Sequence, residues 1–278
     1  MVTGVFFHEH FVGKEWPVIG DRYEGFPGLL AELERQLPNV RLIRPEPAPE
    51  DLLARVHTPE YLARVRRAWY YEGARLTVGA FVKACEMVWR GELDNAVVFL
   101  VAAGHHAHRD RGWGGTYLSL IGPAVLRLRE LGLERLAYID TDAHHADGAR
   151  EVLMGDRGVL HICFCHRDVV EDGGTKICVD VGWSTTDDAY LAKVREILPT
   201  VRDFRPQMML HFLGHDTHED DYGSLGLSDE FFIRLVRELK ALADEVCGGK
   251  YVVVHGGGAN KRVARRIWPE IIRLLAEG

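Results

Sequence analysis

Residues 135–148 read RLAYIDTDAHHADG, in which an apolar run leads directly into a cluster of metal-ligating side chains. The run Arg135–Ile139 is short, mostly apolar and bounded by charged residues, as is typical of a strand buried on both faces. The segment Asp140–Gly148 then places three carboxylates and two imidazoles within nine residues. Because sites in α/β proteins lie beyond the carboxyl ends of their strands, this stretch predicts an α/β fold with a metal site at one sheet edge.

On both sides of this stretch, apolar runs of strand length alternate with stretches of helical periodicity. Short runs of β-rich, apolar character predict further buried strands at Val40–Ile43, Asn95–Val101, Val159–Cys163, Lys176–Val181, Met208–Leu213 and Tyr251–Val254. Apolar residues at helical spacing predict helices at Phe26–Gln36, Pro59–Ala68, Val78–Trp89, Ala189–Leu198, Asp229–Val246 and Lys261–Ala276. The alternation of strands and helices predicts a mostly parallel sheet with helices on both faces.

The composition is that of a large α/β domain, because 47% of the 278 residues are hydrophobic. We therefore predict a single domain over residues 1–278. The formal net charge of −7 argues against nucleic acid as a direct partner. No apolar run approaches the length of a bilayer and the N-terminus lacks the pattern of a signal peptide, so we expect a cytoplasmic protein without a membrane partner. The sequence does not predict an oligomeric state.

Five cysteines, an odd number scattered through apolar segments, fit a reducing cytoplasm better than a disulfide framework. Cys163 and Cys165 lie two residues apart in a predicted strand, so their side chains point to the same face. They could be metal ligands, but the apolar run Leu160–Cys165 favours buried core thiols.

Polar residues and glycines follow four of the predicted strands at the points where the strands end. They are Gly104–His106, Asp140–Asp147, Gly214–Asp221 and His255–Gly258. Since the carboxyl ends of parallel strands meet at one edge of a sheet, the four clusters are expected to form one site.

The segment after Ile139 predicts two metal ligands. In an extended strand end Asp140, Asp142 and His144 project to one side. Asp142 and His144 could bind one ion, with Asp140 behind them as a hydrogen-bond acceptor for another side chain.

A third ligand is expected from another strand. Asp216 in Gly214–His218 is the candidate, although His215 or His218 could ligate instead. Two carboxylates and one imidazole leave coordination positions open, which is the pattern of a catalytic metal site.

The paired histidines His105 and His106 suit general base and general acid roles beside a metal. Each role requires a carboxylate that orients the imidazole, and Asp140 and Asp147 are the available ones. The glycines of Gly112–Gly115 and Gly256–Gly258 would form tight loops that line a pocket. Neither stretch has the spacing of a P-loop or a GxGxxG motif, which argues against nucleotide binding.

The order of these motifs resembles the zinc-dependent histone deacetylase and acetylpolyamine amidohydrolase family of the arginase/deacetylase superfamily. The resemblance runs through His57–Tyr61, Thr77–Gly79, Gly104–Ala107, Asp140–Gly148, Gly214–His218 and the glycine turn after the last strand. It implies an eight-stranded, mainly parallel α/β sheet. It also implies that Asp142, His144 and Asp216 hold one zinc ion per chain, a ligand set that also suits Fe²⁺, Co²⁺ or Mn²⁺.

The resemblance assigns His105 and His106 as the tandem catalytic histidines, with His106 as the base. Asp140 matches the partner of His105, and Asp147 the partner of His106. The implied reaction is hydrolysis of an acylated amine, in which the metal polarises the acyl carbonyl and acidifies a water that attacks it. The substrate would be an acyl-lysine, an acetylpolyamine or another small acylated amine.

The sequence departs from the family at the glycine turn, where a tyrosine usually donates to the developing oxyanion. Here Gly258 occupies that position, and loss of one such donor typically lowers the rate about a hundred- to a thousandfold. Tyr222, Tyr117 and His218 are candidate replacements. The substrate pocket is predicted to involve Gly114, Gly115, Tyr222, Gly257 and Gly258.

Three further features of the sequence concern the substrate and a bound monovalent cation. The family's aromatic Gly-Phe-Cys wall is replaced by Gly114-Gly115-Thr116, which predicts a wider channel or a bulkier substrate. The serine of the family's monovalent-cation site is absent near Phe164 and Cys165, which argues against a bound K⁺. The acidic run Glu219–Asp221 could attract a cationic amine, although a solvated loop is the better explanation of it.

Two other functions fit parts of the sequence. An arginase-like ureohydrolase would share the fold and the Asp142–Asp147 pattern, but it would need two manganese ions and more ligands, and His218 stands where an aspartate is expected. A metal-binding homologue with little activity would fit the missing tyrosine.

Overall fold

The computed structural model describes residues 1–277, in which the short apolar runs form the strands. They are β1 (Thr3–Phe6), β2 (Val40–Ile43), β3 (Asn95–Val98), β4 (Ala103–Gly104), β5 (Leu118–Ser119), β6 (Leu136–Asp140), β7 (Val159–Cys165), β8 (Val169–Glu171), β9 (Lys176–Asp180), β10 (Met208–Leu213) and β11 (Tyr251–His255). Strands β4 and β5 pair only with each other, and the rest form one sheet.

Within residues 1–277 the large sheet has nine strands in the order β2-β1-β3-β11-β10-β6-β7-β9-β8. Every neighbouring pair is parallel except β8 and β9, which form an antiparallel hairpin at one edge. The predicted mainly parallel α/β sheet is therefore confirmed, with one short antiparallel strand added to eight parallel ones.

Two groups of helices pack against the sheet. They are α1 (Phe26–Gln36), α2 (Glu50–Ala54), α3 (Pro59–Val65), α4 (Tyr71–Trp89), α5 (Ile121–Glu130), α6 (Asp147–Leu153), α7 (Asp187–Phe204), α8 (Asp229–Cys247) and α9 (Lys261–Glu277). Helices α4, α5 and α6 pack in series, and so do α1, α9, α8 and α7. No helix among residues 1–277 is both long and apolar enough to cross a bilayer.

Some elements differ from the sequence-based expectation for local reasons. β3 ends at Val98 rather than Val101, and the chain then turns through Ala102, whose φ of 54° is left-handed. β1 and β8 are not predicted, because β1 contains Gly4 among its four residues and β8 has only three residues, all of them exposed. Helix α6 begins at Asp147, inside the polar segment Asp140–Gly148, where the sequence pattern predicts no helix.

The order of strands positions the site. β10 lies between β6 and β11, and β11 lies between β10 and β3, all in parallel register. The carboxyl ends of these four strands therefore meet at one sheet edge, where the four polar clusters of the sequence follow them.

Trp268 of α9 anchors its helix to the sheet. Its side chain is fully buried, and its ring centroid lies 5.5 Å from that of Phe99 and 4.2 Å from that of His255. The indole thus packs directly beneath the last residue of β11.

Replacing Trp268 with alanine should lower the free energy of unfolding by about 3–5 kcal/mol, because it removes a fully buried indole and leaves a cavity. The matched control is Trp183→Ala, since Trp183 is 79% exposed, and surface replacements usually change stability by less than about 0.5 kcal/mol. Denaturant unfolding followed by circular dichroism measures both. Equal losses in the two variants would contradict the packing of Trp268.

Candidate functional site

Asp142, His144 and Asp216 converge where β6 and β10 end side by side. His144 Nδ1 lies 3.0 Å from Asp142 Oδ1 and 3.0 Å from Asp216 Oδ2. One potential ligand atom from each residue falls within 4.8 Å of the others. The structure thus brings together the three residues that the sequence nominates as metal ligands.

The electrostatics of this group favour a bound cation. Asp142 and Asp216 are buried, and burial together with the Asp142 carboxylate raises the pKa of Asp216 to about 7. In residues 1–277 the only basic groups within 4.0 Å of these two carboxylates are the imidazoles of His105 and His144. Two facing carboxylates without a lysine or arginine fit a divalent ion, which would relieve their repulsion.

Backbone groups fix the orientation of both carboxylates. Gly257 donates its N–H to Asp142 Oδ2 at 2.8 Å, and Ala143 donates to Asp216 Oδ1 at 3.2 Å. A Cβ atom at position 257 would overlap both carboxylates, so only glycine permits this close approach. The glycine turn therefore packs closely against both carboxylates and orients that of Asp142.

His105 lies between a carboxylate and an aromatic ring. Its Nδ1 is 3.0 Å from Asp140 Oδ2, and its ring stacks on Phe212 with centroids 4.6 Å apart. Burial lowers the pKa of His105, but Asp140 and Asp142 outweigh it and raise the pKa to about 9. The ring is thus held as a hydrogen-bond donor.

His106 has a different environment although it is the next residue. Its Nδ1 lies 2.8 Å from Asp147 Oδ1, and its ring stacks on Trp113 with centroids 3.7 Å apart. Burial and the neighbouring His105 lower the pKa of His106 to about 4. A neutral imidazole oriented by Asp147 can accept a proton at Nε2, which is the arrangement of a general base.

A cavity of about 260 Å³ opens above these groups. It is lined by Val18, Ile19, Leu100, Ala102, His105, His106, Trp113, Gly114, Gly115, Thr116, Asp142, His144, Phe212, Tyr222, Gly256 and Gly257. Of the predicted pocket residues, Gly114, Gly115, Tyr222 and Gly257 reach this cavity, while Gly258 lies outside its lining.

The expectation of a cavity without an aromatic wall is wrong. Trp113 stacks on His106 and donates its indole N–H to Asp147 Oδ2 at 2.9 Å, while Phe212 covers His105. Trp113 lies among the glycines of Gly112–Gly115, and the sequence pattern alone does not show that its ring faces His106.

Among Tyr222, Tyr117 and His218, which the sequence offers as oxyanion donors, Tyr222 is the one that reaches the cavity within residues 1–277. Tyr117 stacks on Tyr70 with ring centroids 4.0 Å apart. His218 Nε2 lies 3.0 Å from Asp229 Oδ1, so this imidazole is engaged elsewhere.

Gly258 cannot carry a side chain in this conformation. Its φ is 113°, and a Cβ atom would lie 2.5 Å from the ring of His215. Its N–H instead donates to the Tyr222 hydroxyl at 3.0 Å. Asp221 stabilises the residues that follow the glycine turn, because its carboxylate accepts the N–H of Asn260 at 2.8 Å. This carboxylate therefore has a structural role.

Arg22 holds the same turn from the N-terminal part of the chain. Its buried guanidinium donates to the carbonyls of Gly256 and Gly258 at 2.7 Å each, and to those of Leu100 at 3.0 Å and His255 at 3.1 Å. Sequence analysis misses this residue because a lone arginine in a loop carries no motif. Only the fold shows that four carbonyls converge on it.

Comparison with known proteins identifies the family. The family described as "Histone deacetylase domain" matches residues 69–275, so the chain belongs to the histone deacetylase family. This finding confirms the resemblance seen in the order of motifs.

Two curated relatives agree. The chain is 29% identical to a probable deacetylase of Archaeoglobus fulgidus over 93% of the chain and 81% of that protein. It is 30% identical to a histone deacetylase-like amidohydrolase of Pseudomonas aeruginosa over 76% of the chain and 64% of that protein. Neither relative favours the ureohydrolase alternative.

A solved structure shares the fold. The crystal structure of the HDA15 HD domain superimposes with a TM-score of 0.86, covering 99% of this chain and 90% of that one at 22% sequence identity. The deacetylase architecture therefore extends over almost the whole chain, including residues 1–68 that precede the family match.

Replacing Arg22 with methionine should lower the free energy of unfolding by about 3 kcal/mol or more, because several buried carbonyls lose a charged donor. It should also weaken metal binding, since the glycine turn that orients Asp142 loses its support. The control is Arg262→Met, an exposed residue beyond the turn. Urea unfolding and metal titration measure the two effects, and unchanged values in the Arg22 variant would contradict its role.

Proposed function

We propose that this protein is a metal-dependent deacetylase that hydrolyses the amide bond of an acylated amine. The observation that carries the proposal is the placement of the Asp142–His144–Asp216 group beside two histidines, each paired with its own carboxylate. Membership of the histone deacetylase family supports it.

Asp142, His144 and Asp216 would hold one zinc ion in this site. Their two carboxylates and one imidazole match a catalytic zinc site, and Fe²⁺, Co²⁺ and Mn²⁺ accept the same donors. When bound, the ion supplies Lewis acidity toward the acyl carbonyl and lowers the pKa of a nearby water. Gly257 and Ala143 keep the carboxylates aligned for it through their N–H groups.

The two histidines have separate roles in this proposal. His106 takes the proton of the attacking water at Nε2, because Asp147 occupies its Nδ1 and its low pKa keeps it neutral. His105 stays protonated through Asp140 and donates to the leaving amine or to the developing charge. Trp113 and Phe212 hold the two rings in place by stacking.

Tyr222 is the proposed substitute for the tyrosine that the family carries at the glycine turn. Its hydroxyl accepts the N–H of Gly258, so its proton is free to donate to an oxyanion in the cavity. Its ring centroid lies 5.9 Å from that of His144, at the edge of the metal group.

The size of the cavity favours a small acyl group. A volume of about 260 Å³ lies below the roughly 300–1,000 Å³ of most drug-sized ligand sites. Trp113, Gly114 and Gly115 line this cavity beside His106, where the amine part of the substrate would lie. Acetyl-lysine, acetylated polyamines and small acetylated amines are therefore the first substrates to test.

The activity test uses a panel of acetylated and longer-chain acyl amines with the purified protein. We expect amine release that is abolished by a chelator and restored by Zn²⁺. Asp216→Asn should abolish both turnover and metal binding at this site, whereas His106→Ala should keep the metal and lose at least a hundredfold in kcat. Metal binding without turnover on any substrate would favour a binding protein instead, and release of urea from arginine would favour a ureohydrolase.

Replacing Tyr222 with phenylalanine should lower kcat about a hundred- to a thousandfold with little change in KM, because only an oxyanion donor is lost. The control is Tyr117→Phe, whose ring packs on Tyr70 away from the lining of the cavity. Steady-state kinetics on the best acetylated amine measures both variants. A Tyr222 variant as active as the control would show that another group binds the oxyanion.

A further inference from the structure

A second cluster of potential metal ligands lies next to the segment that carries His144. Cys163 and Cys165 point from β7, Cys178 points from the neighbouring strand β9, and His145 comes from the loop after β6. Cys163 and Cys178 are direct neighbours in the parallel register of the two strands. All three thiols are buried, as the sequence predicts for Cys163 and Cys165, but they form one cluster with an imidazole rather than packing as separate core residues.

The distances match the geometry of a single tetrahedral ion. His145 Nδ1 lies 3.5 Å from Cys178 Sγ, 3.6 Å from Cys165 Sγ and 3.8 Å from Cys163 Sγ. One ligand atom from each of the four residues lies within 4.8 Å of all the others. Zinc–sulfur bonds of about 2.3 Å and zinc–nitrogen bonds of about 2.0–2.1 Å at tetrahedral angles give a nitrogen–sulfur separation of about 3.5–3.6 Å.

Donors around the cluster are aimed at its sulfur atoms. The buried guanidinium of Arg150 places Nη2 2.8 Å from Cys178 Sγ, while its Nε and Nη1 have no hydrogen-bond partner. The N–H of Ala146 donates to Cys163 Sγ at 3.4 Å. A buried cation directed at Cys178 and a backbone N–H directed at Cys163 would stabilise thiolates at these two positions, as expected of sulfur that ligates a metal.

We propose that His145, Cys163, Cys165 and Cys178 bind one structural zinc ion, distinct from the ion of the catalytic group. Three thiolates and one imidazole fill a tetrahedral shell, which is the pattern of a closed structural site. With zinc the shell carries one net negative charge, which is partly offset by the Arg150 guanidinium, whose Nη1 also lies 3.5 Å from Glu171 Oε2. The whole chain then binds two zinc ions, rather than the one that the family resemblance implies.

The proposed second ion would link the segment after β6 to strands β7 and β9 of the sheet. His145 follows His144 directly, so the proposed zinc would fix the segment after β6 to β7 and β9. The inference does not rest on the deacetylase activity, because it concerns donors that take no part in the proposed reaction.

Metal analysis of purified variants separates the two sites. Wild-type protein should contain two zinc ions per chain. The double variant Asp142→Asn/Asp216→Asn should keep one, and Cys165→Ser/Cys178→Ser should also keep one. Cys247→Ser is the matched control, because Cys247 lies at the end of α8 away from both groups, and it should keep two.

Cobalt substitution identifies the ligands without depending on the stability of the cysteine variants. Co²⁺-loaded Asp142→Asn/Asp216→Asn protein should show intense thiolate-to-cobalt charge-transfer absorption in the near ultraviolet. The carboxylate and imidazole donors of the catalytic group cannot produce this band. Titration of the wild-type zinc protein with an organomercurial should release one zinc per chain as the three clustered thiols react.

Three results would overturn the proposal. The first is loss of both metals from Asp142→Asn/Asp216→Asn, which would indicate a binuclear catalytic site. The second is a cobalt spectrum without the thiolate band. The third is a count of three free thiols instead of five in the denatured, chelator-treated protein, since that would indicate a disulfide. A metal retained with the thiolate band, but without deacetylase activity in the wild type, would support this site while rejecting the proposed function.

Discussion

The burial of two carboxylates side by side is the constraint on which the rest of the structure depends. Asp142 and Asp216 leave adjacent parallel strands and face each other without a lysine or arginine among residues 1–277 to separate them. Such an arrangement is unfavourable unless a cation and several N–H groups compensate it. The glycine turn after β11 and the buried Arg22 behind it supply that support. The sheet order, which puts β10 between β6 and β11, is what makes the compensation possible.

The fold also gives two adjacent histidines opposite properties. His105 faces Asp140 at the end of a buried strand, whereas His106 faces Asp147 at the start of α6 and lies under an indole. Their pKa values diverge to about 9 and about 4, because one ring is surrounded by carboxylates while the other is desolvated beside a positive neighbour. Sites that need both an acid and a base commonly separate their pKa values in this way.

The sequence predicts the features that depend on local pattern. Strands such as Met208–Leu213 and the polar clusters at their ends follow from apolar periodicity and from the position of sites in parallel sheets. The role of Arg22 could not be predicted, because its acceptors lie up to 236 positions away along the chain. Cys163 and Cys165 illustrate the same limit. Their pattern in the sequence fits buried core residues, and only the fold shows that β9 and the loop with His145 lie beside them.

The contacts of Arg22 have a consequence for biosynthesis. An arginine near the beginning of the chain is satisfied by carbonyls that follow the last strand, so its partners are synthesised more than two hundred residues later. Until that strand leaves the ribosome, the Arg22 guanidinium lacks three of its four carbonyl acceptors, and Asp142 lacks the turn that orients it. The turn that orients Asp142 therefore cannot reach its final form until the last strand of the sheet has been synthesised.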